Sequence, residues 1–262
     1  MNPFQSAHDL LEWACEDIAA FDVASQTFLD LKPYTAIREV DLKAGHDLIK
    51  VRFAPVPHTL RKLASHAIWD LKHSLDHAIW AAITLIRGRP AGDVHFLWSD
   101  HPNAMRSRLA KIPNRDTEPK YPPELWKFFE TLEPYPTGVG YPGGSDELIA
   151  FSKIANSTKH AIALATAPRA HVQSFSTQMP FLRAFIDNWD GEQRELTICH
   201  VSHDAKLDMN LEIATNITFA DVSQFREHAA VLVLEELARA VSNIIDELEI
   251  EVCDILAHRG RS

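Results

Sequence analysis

Between Pro57 and Gly88 no proline or glycine interrupts the chain, and apolar residues return at helical spacing throughout. Turning by about 100° per residue, Ile68, Leu71, Leu75, Ile79, Ala82 and Ile86 fall on one face of a helix that His58 or Thr59 begins after Pro57 and Gly88 closes. His66, Asp70, His73 and His77 fall on the opposite face. A helix this long with one apolar stripe needs other elements to cover that stripe. The row of three imidazoles and a carboxylate has three readings: a face turned to water, a binding or catalytic face without metal, or a set of metal ligands.

The remaining segments supply the covering elements. Ser6, with Asp9 three residues on, opens a first helix with a weak capping-box pattern and an apolar stripe that Pro33 stops. Residues 35–42 and 47–56 alternate and are rich in β-branched side chains, so they read as a hairpin around Lys43-Ala44-Gly45-His46. Residues 94–98 read as a short buried strand, 103–112 as a helix, and Pro123 starts a short helix ending near Leu132. The Pro- and Gly-rich stretch 134–144 is a connector or a lid. Ser145 or Asp146 caps a helix reaching about Ala165. Strand patterns then cover 172–177, 182–186, 195–202 and 207–219, with turns at 188–191 and 203–206, and Asp221 caps a last helix to about Ala257. The expected class is α+β: a helical bundle with a mostly antiparallel sheet built from the early hairpin and a late meander, all in one domain over residues 1–262.

Charge and cysteine usage narrow the function. A net charge of -10 repels polyanions in bulk, so any nucleic-acid contact must use a local basic patch. The 3 cysteines are far apart and lack CxxC spacing, which suits reduced thiols and a cytoplasmic location. No signal-peptide pattern opens the chain and no apolar run is long enough to span a membrane, so no membrane partner is expected. Walker, Rossmann, HExxH and GxSxG patterns are missing, and no cofactor or metal residue is assigned.

Two polar clusters are left to carry chemistry. In the first, Lys72, His73, Asp76 and His77 occupy two adjoining helical turns. A neutral histidine can take a hydroxyl proton or return one to a leaving oxygen, and a lysine offsets phosphate charge. Asp76 also stands at i+4 from Lys72, where an ordinary helix ion pair forms. In the second cluster Asn156, Lys159 and His160 share a helix and suit substrate positioning. Alternatively, the two clusters meet as a buried polar clamp between helices. The aromatic residues Trp69, Trp80, Trp98, Trp126, Phe128, Phe129, Tyr121, Tyr135 and Tyr141 form either core and rim or the lining of a groove that stacks planar groups.

Lys72-His73-Ser74-Leu75-Asp76-His77 resembles the Arg-(polar)-x-x-x-His signature of the HEPN family, with Lys72 in the arginine's place, His73 in the polar position and His77 in the histidine's. That resemblance implies a helical-bundle protein acting on RNA, often a metal-independent ribonuclease serving as toxin or defence factor, and a homodimer. Lysine in place of arginine loses bidentate phosphate geometry. Leu71 to His77, Val94 to Trp98, Leu132-Glu133-Pro134-Tyr135 and Asn156-Ser157-Thr158-Lys159-His160 together also resemble a widespread group of uncharacterised bacterial proteins, which implies pairing of the two polar clusters but no reaction. The expectation is therefore a HEPN-like RNA-acting protein. The alternatives are a non-catalytic binding or assembly protein whose motifs clamp helices, and a histidine-ligated metal enzyme.

Overall fold

The computed structural model describes residues 2–41, 45–113, 117–160, 166–176, 183–190, 193–204, 210–219, 224–225 and 228–260, and within these the side chains of 157–160, 166–176, 183–188 and 210–214 are not described. Six α-helices and six strands are present among them. They are α1 (Gln5–Asp30), β1 (Tyr34–Asp41), β2 (His46–Phe53), α2 (His58–Arg87), α3 (Pro102–Leu109), α4 (Trp126–Leu132), α5 (Asp146–His160), β3 (Thr166–Ser176), β4 (Arg183–Asp190), β5 (Glu195–Val201), β6 (Asn210–Phe219) and α6 (Ala230–Arg259). The class is α+β, as the periodicities indicate.

The chain divides into two compact units, each made of separated segments: Met1–Ala19, Leu63–Leu164 and Leu232–Ser262 form one, Ala20–Lys62 and Ala165–Val231 the other. The first unit is helical. Its core is the expected face of α2, where Ile68, Leu71, Leu75, Ile79, Ala82 and Ile86 are at most 2% exposed. Phe129, Phe151, Ile154, Leu237, Val241 and Leu248 are also buried in this unit. Polar bonds fix its helices: Ser74 Oγ donates to the Ala7 carbonyl at 2.7 Å, and His8 meets Glu249 at 2.6 Å.

The second unit holds the strands. The early hairpin β1–β2 pairs with the later strands through β2 and β5, in a four-stranded antiparallel sheet ordered β1-β2-β5-β4. β3 pairs with β6 in a separate two-stranded sheet, so the later strands nest as one hairpin inside another. Alternation along β2 buries Ile49, Val51 and Phe53 against Leu196, Ile198, Cys199 and Val201. β4 continues to Asp190, through residues whose composition suggests a turn. The Asp221 cap and residues 205–206 of the 203–206 turn lie outside the described residues, and α6 begins at Ala230.

Residues 94–98 form no strand; Val94, Phe96 and Leu97 are buried, while His95 is exposed and Trp98 half-buried. Lacking a neighbouring strand, their backbone groups are met by side chains: Phe96 N–H donates to Asp76 Oδ1 at 2.7 Å, and the His95 carbonyl accepts from Tyr121 Oη at 2.9 Å. The 134–144 stretch is cross-braced. Glu133 accepts from Gly144 N–H at 2.9 Å and from Tyr135 Oη at 3.1 Å, and Asp146 holds Thr137. Gly144 has φ +104°, and a Cβ there would lie 2.7 Å from the Pro136 backbone, so this bend requires glycine.

Candidate functional site

α2 presents a second face beside its apolar one. Trp69, Lys72, His73, Asp76, His77 and Trp80 stand at helical spacing and line one cavity of about 650 Å³. Pro3 and Ser6 from the start of the chain, residues 92–95 and Ala155 of α5 complete its wall. Lys72, His73, Asp76 and His77 are therefore brought together as one group. The polar row itself splits: His66 is exposed, 3.8 Å from Asp17, and neither His66 nor Asp70 lines the cavity. Burial, then the charge of Asp17, pushes the Asp70 carboxyl up from its ordinary value.

Asp76 is the fixed point of the cavity. It is buried, accepts the Phe96 N–H, and lies 3.3 Å from His95 Nδ1 and 3.9 Å from Lys72 Nζ. His95 Nε2 is in turn 3.1 Å from Asp93, so both ring nitrogens face carboxylates, and a neutral ring can donate to only one of them. The Ser6 hydroxyl is 2.6 Å from His77 Nδ1. It is free to make that contact because the helix starts one residue before Ser6, with Phe4 N–H bonded to the Asn2 side chain.

His73 packs edge-on against Trp69, with ring centroids 4.8 Å apart. Its pKa is lowered from the ordinary imidazole value, chiefly by burial and further by Lys72 and His77, against the opposing pull of Asp76 and Asp70. It is thus a neutral proton acceptor at neutral pH. Trp69 and Trp80 stay 37% and 42% exposed on the cavity's flanks, and Trp80 Nε1 is anchored on the Ala91 carbonyl at 3.0 Å.

No family model, curated protein or solved structure matches this chain.

The second polar cluster does not join the first through Asn156, which is exposed and not among the residues lining the cavity. It points elsewhere because Ala155, one residue earlier on α5, takes the inward position. The side chains of Lys159 and His160 lie outside the described residues. Asp76 makes its polar contacts with the 94–96 segment instead. His95, Asp93 and Ser6 are the site residues that sequence reasoning missed, since His95 looks like a strand residue and Ser6 like a helix cap. Among the described residues no group of three or more His, Cys, Asp or Glu side chains is arranged to hold a metal ion. No helix among them is long and apolar enough to cross a membrane.

Proposed function

We propose that this cavity is the site of a HEPN-like, metal-independent activity on RNA, cleaving a phosphodiester through the neighbouring ribose 2′-hydroxyl. One observation carries the reading: Lys72, His73 and His77 open side by side into a single cavity flanked by two partly exposed tryptophans. His73, neutral, takes the 2′-hydroxyl proton as that oxygen attacks phosphorus. His77 gives a proton to the departing 5′-oxygen, so the P–O5′ bond breaks and a 2′,3′-cyclic phosphate remains. Lys72 offsets the charge that builds on the phosphoryl oxygens. The tryptophan faces suit stacking of unpaired bases. A homodimer and a cytoplasmic setting belong to the same proposal, and light scattering tests the former.

The test is cleavage of a labelled single-stranded RNA by protein and by His77→Ala. The variant should lose about 10²–10⁴-fold in rate while unfolding at the same urea concentration. Cleavage that persists in it removes the assignment.

A second reading is favoured by Asp76, whose bonds to Phe96 and His95 are those of a packing clamp in a binding or assembly protein. The clamp accounts for Asp76 alone. It gives no reason for an exposed His77 or for two tryptophans left partly in solvent beside it.

A further inference from the structure

A second cavity, of about 780 Å³, adjoins the first, and Gly92, Asp93, Val94 and His95 line both. Its far wall carries Arg87, Arg108, Lys111 and Lys120. Asp93 is the one carboxylate among its described lining residues. Four cations against one acid is the reverse of the chain's own balance of 26 Lys and Arg to 36 Asp and Glu.

We infer that this second cavity holds the sugar-phosphate backbone of a single-stranded RNA whose reacting phosphodiester lies in the first, a conclusion that rests on the RNA reading of the site above.

The cations are held in ways that leave their charge available. Arg87 Nη2 donates to the Pro119 carbonyl at 2.5 Å and the Lys120 carbonyl at 3.3 Å, and Arg108 Nη1 donates to the Trp98 carbonyl. Carbonyl acceptors fix a guanidinium without neutralising it. Of these four cations, Arg87 approaches a described carboxylate, Glu118 at 3.9 Å. Elsewhere in the chain Arg38, Lys50, Arg52 and Arg259 each meet a carboxylate at close range. Among the described residues Lys111, Lys120 and Arg108 have no such partner. A backbone bond from Lys120 N–H to the Lys111 carbonyl, 3.2 Å, ties the two lysine-bearing segments together.

The placement suits a strand rather than a lone anion. The shared wall sets the basic surface directly beside Lys72, His73 and His77, so a chain with its reacting phosphate at the histidines brings an adjoining phosphate to the lysines. The exposed faces of Trp69 and Trp80 require bases that are not paired, which favours a single strand over a duplex.

The experiment measures binding of a fluorescein-labelled single-stranded RNA 12-mer over a salt series, using the His77→Ala chain so that the RNA stays intact. Adding Lys111→Ala and Lys120→Ala should weaken binding about tenfold or more at low salt. It should also reduce the slope of log K against log salt by about 1.4, the loss of two phosphate contacts at about 0.7 each. Lys111→Arg with Lys120→Arg should restore both quantities. Unchanged affinity and slope in the alanine variant overturn the inference, and if the native chain still cleaves the RNA, the catalytic reading stands without it. Lysine-dependent binding with no cleavage by the native chain overturns the catalytic reading and upholds only the binding of an RNA backbone in the second cavity. An RNA that binds neither chain overturns both.

Discussion

Asp76 shows how one side chain can hold two segments together at the wall of a cavity. Its carboxylate takes a backbone N–H from residue 96 and an imidazole from residue 95, and so ties a segment without strand partners to α2. Asp76→Ala leaves that N–H without an acceptor, and we expect a loss of about 1–3 kcal/mol in urea unfolding. Asp76→Asn keeps an oxygen at the same place and should cost less; equal unfolding midpoints for all three chains would show that the bond holds nothing. In the proposed reaction the pH dependence rests on His73 as the general base. A general base must be unprotonated, so the rate of the proposed RNA cleavage should rise as pH climbs through the His73 value, and the acidic limb of the kcat/KM profile should lie below 6.5. Lys72 is one of the groups lowering that value, so Lys72→Met should move the limb to higher pH, with a limb that stays put counting against His73 as the base. Lys72, His73, Asp76 and His77 were all legible as candidates, because residue type and helical spacing are local properties. Ser6 and His95 were not, since nothing local to either residue records the neighbour it meets.

At the scale of elements, α2 has two working faces. Its apolar face was readable residue by residue, while its polar face is set one register away from the expected row, through Trp69, Lys72, His73, Asp76, His77 and Trp80. The difference arises because periodicity identifies the apolar stripe and leaves the rest undivided; neighbouring segments choose which polar residues are enclosed. In the sheet, burial works against ionisation of Asp47, but hydrogen bonds from Arg38 and His203 outweigh it and hold the carboxyl below its ordinary value. Hydrogen bonds from Arg52, and then Lys50, do the same for Glu195 against burial. Both groups are deprotonated more readily folded than unfolded, so their stabilisation is complete above the ordinary values of 3.8 and 4.5 and is lost as pH falls through the lowered ones. Urea unfolding followed from pH 7 downward should show the midpoint falling in that acid range, with a shallower fall in Asp47→Asn. A midpoint that stays level would deny these pairs a role.

Across the whole molecule, the net charge of -10 is set against a local cluster of cations at one cavity. Overall repulsion of polyanions and local attraction are compatible, because charges separated by more than about 10 Å are largely screened at ordinary salt. Each compact unit draws on distant segments, and boundaries fall inside α1, α2 and α6 with no linker composition to mark them. By itself the sequence determined the α+β class, the early hairpin, the long helices and the buried stripe of α2, because hydrophobic period is written locally. Tertiary structure alone decided the nesting of β4 and β5 within β3 and β6, the side-chain anchoring of residues 94–98, and the meeting of Ser6 with His77 across 71 positions. Those outcomes depend on which surfaces pack together, and packing compares segments that no local pattern relates.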